Sequence, residues 1–274
     1  MTRKPRPIGR FYNALILAFL YAPIFVLIVY SFNSTKSNSV WSGFSLDWYK
    51  QLIQDASILN AFYITIAVST IAAVIATIAG TFAAVGLYNM RKRWRAPLMQ
   101  INNIPLINAD IITGVSLSLL FISVGSVLKF EPGFGTLLIA HITFNIPYVI
   151  LSIMPKLRQL DSNLIDAACD LGCTWMKAFR KVMVPEIMPG IINGMIIAFT
   201  MSVDDFVISY FTAGKYVMTL SMKIYSMTRK RISPEINALS TIMFLIVLML
   251  LIVVNVRQSK QDEKQKKSEK ALKR

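Results

Sequence analysis

The sequence predicts an all-α integral membrane protein with six transmembrane helices. Of its 274 residues, 55% are hydrophobic and 16% charged, where a soluble domain usually carries about 25% charged residues. Six apolar runs recur along the chain, each near the roughly 20 residues that a helix rising about 1.5 Å per residue needs to cross about 30 Å of hydrocarbon. None alternates apolar and polar residues as a membrane β-strand does.

The runs cover residues 11–32, 61–88, 104–128, 134–154, 187–211 and 236–256. The first follows Arg3, Lys4, Arg6 and Arg10, but it is too long for a signal-peptide core and lacks a small-residue cleavage site, so it reads as a span. This divides the chain into an N-terminal tail (1–10), a membrane domain (11–256) and a basic tail (257–274) whose Lys, Gln and Glu bury nothing. With both tails cytoplasmic, 21 of the 29 Lys and Arg lie inside and 8 outside, as the positive-inside tendency requires. The exception is the loop between spans five and six, with Lys215, Lys223, Arg229, Lys230 and Arg231. It is either a tolerated exported segment or a docking surface for an acidic partner.

Several chemistries are excluded early. Two cysteines and one histidine are too few for a disulfide framework, a Cys/His zinc cage or two-histidine haem ligation. The net charge of +15 belongs to lipid-flanking segments rather than to a nucleic-acid surface. No two glycines stand five apart, so the phosphate-cradling G-x-x-x-x-G-K loop has no place in this chain. If nucleotide powers the protein, another chain binds it. Cys169 and Cys173 read as small packing residues, and His141 as a packed or hydrogen-bonded helix residue.

Between spans four and five the segment 161–185 carries helix signals without the length to cross lipid. Asp161, Ser162 and Asn163 offer capping oxygens, Leu164, Ala168 and Leu171 share one face, and Gly172 suits a left-handed helix end. Thr174 can cap a second helix, with Trp175, Ala178, Phe179 and Val182 on one stripe and Pro185 ending it. A short amphipathic helical hairpin of this kind needs its own bundle, the membrane or a partner protein against its apolar face.

Asp166-Ala167-Ala168-x-x-Leu171-Gly172, followed by Phe179-Arg180-Lys181-Val182-x-Val184-Pro185 and Pro189-Gly190, resembles the EAA motif of ABC importer permeases. The chain further resembles the polyamine (spermidine/putrescine) permeases of the PotC type. The matching residues are Ser31-Phe32-Asn33, Trp41-x-Gly43-Phe44 with Trp48-Tyr49, His141-Ile142-Thr143-Phe144 with Pro147, Ser202-x-Asp204-Asp205, Lys223-Ile224-Tyr225-Ser226 and Ser233-Pro234-Glu235-Ile236-Asn237-Ala238. Ser221 and Arg231 stand where that pattern has Pro and Gly. The resemblance implies a type I importer architecture in a bacterial inner membrane, with a coupling helix that docks into an ATPase through Asp166, Ala167, Ala168, Leu171, Gly172, Phe179 and Pro185. It also implies a second homologous permease, two cytoplasmic ATPase subunits that hold the ATP and Mg, an extracellular or periplasmic binding protein, and no cofactor in this chain.

Three acids fall within the apolar runs: Asp110, Asp204 and Asp205. A mid-helix carboxylate costs about 2.5 to 3.5 kcal/mol on insertion scales, so it persists where it is paired, watered or useful. Read on a continuous helix, Asp110 lies about one and a half turns into span three, with Thr113, Gly114 and Leu117 on its face. On a continuous span five, Ser202, Asp205, Ser209 and Thr212 form one stripe and Asp204 lies on another. The acids are either interface residues that snorkel or pair with Lys215, or a cation pathway to which Phe206 and Tyr210 add cation–π contacts. As a class, an ion-coupled transporter of organic cations, with the acids as proton relays, is the rival to an ATP-driven importer, as is an importer of another small cation.

Overall fold

The computed structural model describes residues 7–35, 40–230, 235–249, 252 and 256. Arg3, Lys4, Arg6, Arg231, Ser233, Pro234 and the tail 257–274 lie outside the described residues.

Among the described residues the chain is mainly helical. Its elements are α1 (Pro7–Tyr30), α2 (Asp47–Gln54), α3 (Ala56–Asn89), α4 (Lys92–Ile107), α5 (Asp110–Leu128), α6 (Phe134–Gln159), α7 (Ser162–Asp170), α8 (Trp175–Ala178), a π-helical turn (Phe179–Met183), α9 (Val184–Asp204), α10 (Val207–Thr212) and α11 (Leu220–Lys230). An apolar helix, α12 (Glu235–Met249), follows. Among the described residues, five helical stretches are long and apolar enough to cross a bilayer: Phe11–Tyr30, Ala56–Asn89, Asp110–Leu128, Phe134–Gln159 and Trp175–Asp204. The described part of α12 is the start of the sixth expected span.

Three expectations require correction. Span three does not run unbroken from residue 104: Asn108 and Ala109 are extended, so Asp110 is the first residue of α5 and not an interior one. Its carboxylate therefore stands at a helix N-terminus, where unpaired N–H groups favour negative charge. Span five likewise breaks, with Asp205 extended at ψ 122° between α9 and α10. Finally, Pro185 ends no helix. The N–H of Val184 bonds to the Phe179 carbonyl across the wide π turn, and Pro185 occupies the first turn of α9, where its missing N–H is tolerated. The expected hairpin is thus α7 followed by the amphipathic start of span five.

The described residues form two compact units. In the unit built on Asn60–Met222, α6 and α9 pack closely, and their seam is made by small residues. A Cβ on Gly194 would stand 3.3 Å from the Val149 Cα, and one on Gly190 would stand 3.1 Å from the Ser152 carbonyl oxygen. On the other side of Val149, α3 comes in at Gly80, where a Cβ would meet Val149 Cγ1 at 2.7 Å. Val149, Ile153, Leu157 and Ile187 are fully buried around this seam. Thr65, Thr77 and Thr81 of α3 return their hydroxyls to carbonyls one turn back, which satisfies them without water.

In the unit formed by Met1–Leu59 and Lys223–Leu250, the aromatic motifs of the first loop converge on Asn33. Trp48 Nε1 donates to the Asn33 carbonyl at 2.6 Å, Asn33 Nδ2 donates to the Val40 carbonyl, and Asn33 Oδ1 accepts from the Ser42 N–H. Phe32 stacks on Phe44 and leans on Tyr49, whose hydroxyl meets that of Ser31 at 2.7 Å. Gly43 turns this loop with φ +136°.

Candidate translocation site and coupling segment

The break in span five is built by polar side chains on both helices that flank it. Asp205 points its carboxylate forward into α10: Oδ1 accepts from the Ile208 N–H at 3.2 Å, and Oδ2 accepts from the Ser209 N–H at 2.7 Å and the Ser209 hydroxyl at 2.8 Å. Two otherwise orphaned donors of α10 are thereby satisfied. The Asp205 carbonyl, freed by the break, accepts from the Ser221 hydroxyl at 2.7 Å. A proline at position 221 has no donor for this bond.

His141, on α6, is 1% exposed and joins the two sides of the break. Its Nδ1 lies 2.6 Å from Ser202 Oγ on α9 and its Nε2 lies 3.0 Å from Ser209 Oγ on α10, with Asp205 Oδ2 at 3.6 Å. Asn145, one turn along α6, donates to Ser202 Oγ at 3.2 Å. The histidine is hydrogen-bonded, as the sequence suggested. Its coupling to Asp205 through Ser209 was not legible, although Ser202, Asp205 and Ser209 already stood on one polar stripe.

The two neighbouring acids differ in their surroundings. Asp205 is 9% exposed in its side chain and enclosed by its capping bonds, whereas Asp204 is exposed. Phe206 and Tyr210 pair at 5.5 Å beside them, and Tyr210 meets Phe211 edge-on at 5.4 Å. α10 rests on α5 at Gly114, where a Cβ would stand 3.1 Å from Phe211 and 3.4 Å from the Ile208 Cα. Asp110 lies one turn from that glycine on the same helix face. Asp110 opens α5, Asp204 ends α9 and Asp205 lies between α9 and α10, while α10 packs on α5 and α6, and α6 packs on α9.

The segment 161–185 is capped as its sequence indicates around α7 and not at the start of α8. Asp161 accepts from the Asn163 N–H at 3.0 Å, and Gly172 adopts φ +84°. The Gly172 N–H bonds to the Cys169 carbonyl and the Cys173 N–H to the Ala168 carbonyl, a Schellman end. Thr174 stands before α8 without a side-chain capping bond. Asp166 and Ala167 are exposed, Ala168 is partly covered and Leu171 is 87% exposed. Trp175 stacks on Phe179 at 5.6 Å and is itself half open. Phe179 is buried against Phe82 and anchors the segment to the bundle, while Pro185 is exposed. Cys169 is exposed, so its expected packing role is not met within this chain.

The profile of the family described as "Binding-protein-dependent transport system inner membrane component" matches residues 76–267. The chain belongs to this family. The permease is 41% identical over 228 residues to the putrescine transport system permease protein PotI of Escherichia coli K12, covering 82% of this chain and 81% of that one. It is 36% identical over 233 residues to the spermidine/putrescine permease PotC of Haemophilus influenzae, covering 85% and 89%. It is 37% identical over 241 residues to E. coli K12 PotC, covering 88% and 89%. Among solved structures, a bacterial alginate ABC importer matches with TM-score 0.69 at 15% identity over 93% of this chain and 99% of that one. The MetNI methionine transporter matches with TM-score 0.60 at 19% identity over 74% and 95%. The permease therefore has the type I importer fold and is the membrane component of an ABC system. In such systems the permease is not itself the ATPase and works with a substrate-binding protein and ATPase subunits.

Proposed function

We propose that this permease carries polyamines, spermidine and putrescine, into the bacterial cytoplasm. The observation that carries this reading is the identity of 36 to 41% with putrescine and spermidine permeases over most of the chain. The adjacent carboxylates of Asp204 and Asp205 beside the paired Phe206 and Tyr210 rings support it, because a multivalent organic cation gains from each anion and from the ring faces. Asp110, Asp204 and Asp205 belong to the substrate pathway, with Phe206 and Tyr210 alongside. Asp166, Ala167, Ala168, Leu171 and Gly172 form the ATPase docking face, and Phe179 and Pro185 tie that face to span five. Exposure of Leu171 at 87% supports docking, since an apolar side chain on a short cytoplasmic helix is otherwise left in water.

The assembly has a second homologous permease, two ATPase subunits at the cytoplasmic face that hold ATP and Mg, and a binding protein on the extracellular or periplasmic side. Both termini of this chain are cytoplasmic in the inner membrane. The test is uptake by the reconstituted complex in vesicles. ATP-dependent entry of labelled spermidine or putrescine that requires the binding protein is expected. Entry driven by an ion gradient without ATPase subunits, or entry of neither polyamine, overturns the reading.

A further inference from the structure

The hydrogen-bond donors and acceptors around His141 admit one direction of bonding. The Ser209 hydroxyl donates to Asp205 Oδ2, so its oxygen is left as an acceptor and His141 Nε2 must carry the proton that meets it. In a neutral imidazole Nδ1 is then the acceptor, and it takes the Ser202 hydroxyl proton at 2.6 Å. The Ser202 oxygen in turn accepts from Asn145 Nδ2. The chain runs Asn145, Ser202, His141, Ser209, Asp205, through α6, α9, α6 again and α10, and it ends on the carboxylate that caps α10.

This network crosses the helix break rather than stabilising either helix alone. Ser202 precedes the break and Ser209 follows it, and both bond to one imidazole that is 1% exposed. Asp205 takes three bonds within α10. The side chain of Asp204, its neighbour, has no hydrogen bond or ion pair among the described residues and is exposed.

We propose that His141 is the positioning residue of the cation pathway: by bridging Ser202 and Ser209 it holds the break at a fixed angle, commits Asp205 to the α10 cap and leaves Asp204 as the anion presented to substrate. This rests on the polyamine reading. It makes the adjacent acids unequal, with one shaping the site and the other meeting the cation. The imidazole does not touch substrate.

The test measures polyamine uptake against concentration in the full reconstituted complex for His141→Leu, His141→Gln, Ser209→Ala and the double variant His141→Leu/Ser209→Ala. If His141 positions Asp204 through Ser209, the half-saturating polyamine concentration rises about tenfold in His141→Leu. It rises in Ser209→Ala as well, and the double variant is no worse than the poorer single one, because both remove the same link. Glutamine supplies a donor and an acceptor and restores half-saturation toward wild type. A purely structural role lowers complex yield or maximal rate and leaves half-saturation unmoved. Unchanged half-saturation in Ser209→Ala overturns the proposal even where His141→Leu fails to assemble, as does additivity in the double variant. Failure of the polyamine reading is seen separately, as no polyamine uptake by the wild-type complex.

Discussion

The Ser152 hydroxyl donates to the Gly190 carbonyl at 3.0 Å, a bond between α6 and α9 made possible because position 190 has no side chain. A Cβ there would stand 3.1 Å from the Ser152 carbonyl oxygen and 3.2 Å from the Ile153 Cα, both backbone atoms that cannot swing aside. Gly190→Val is expected to force the two helices apart at a cost of about 1 to 3 kcal/mol. Thermal melting of the detergent-solubilised complex checks this, and Gly86→Ala, with nothing within 4 Å of its Cβ, is the matched control.

Gly172 has φ +84° with nothing within 4 Å of a Cβ, so a side chain there strains the backbone without colliding inside the chain. Gly172→Leu should cost on the order of 1 kcal/mol through that strain and leave membrane insertion intact. Co-purification of ATPase subunits should fall in this variant and in Asp166→Lys, whose charge reversal lies on the same exposed helix. Wild-type amounts of ATPase with both variants would remove the docking face from α7.

Asp204 and Asp205 should separate cleanly on substitution. Asp205→Ala removes acceptors from two backbone N–H groups and should lower stability by about 1 to 2 kcal/mol. Asp205→Asn retains an oxygen acceptor and should lose less. Asp204→Asn should leave the melting temperature unchanged and depress polyamine uptake. Melting and uptake measured on the same preparations give both readings, and wild-type uptake with Asp204→Asn contradicts its place in the pathway.

Outside the spans, Asp55 precedes α3 and its carboxyl is held below the usual carboxylate range, first by the Ser57 hydroxyl and then by the backbone N–H groups of Ser57 and Ile58 and the charge of Lys223. Lys223 Nζ also donates to Ser57 Oγ at 2.6 Å. A lowered value stabilises the folded state above the ordinary carboxylate range, and this contribution fades as pH falls through the lowered value. Asp55→Ala should therefore cost about 1 kcal/mol at neutral pH and nothing below that window. Melting curves recorded from neutral to acid pH would show the two proteins converging.

Sidedness follows from the distribution of basic residues. Tyr216, 84% exposed in the loop after α10, should react from outside when replaced by cysteine in a Cys169→Ser/Cys173→Ser background. A cysteine at Arg93 should not. An impermeant thiol reagent on intact cells checks this, and labelling at 93 reverses the orientation.

Hydropathy reveals spans because burial in lipid is an average over some 20 residues, and each expected span has a helix in the structure. Averages do not reveal breaks. Asn108 and Ala109 leave the helix inside an apolar run, and Asp205 leaves it because its own carboxylate and Ser221 satisfy the groups that the break exposes. Half of that compensation is a local cap and half comes from Ser221, sixteen residues on, and neither leaves a mark in the hydropathy of the run. α2 and α4 were missed for a related reason: they are short or proline-bearing, with Pro97 and Pro105 inside α4. The candidate acids stood out as residue types out of place, and the candidate docking residues as an apolar motif on a short helix. The contacts of Ser209 and Asn145 depend on which helices adjoin.

The π turn at Phe179–Met183 carries Pro185 into span five without an interruption, so residues 175–204 form one helical rod. At about 1.5 Å per residue that rod is roughly 45 Å long. Trp175 stands at one end and Asp204 at the other, with Pro185 and Pro189 between them. On the proposed function Trp175 marks the ATPase end, and a tilt of a few degrees there would carry the Asp204 end through several ångströms. Leverage of this kind would let a small stroke at the docking face shift the anion of the proposed pathway.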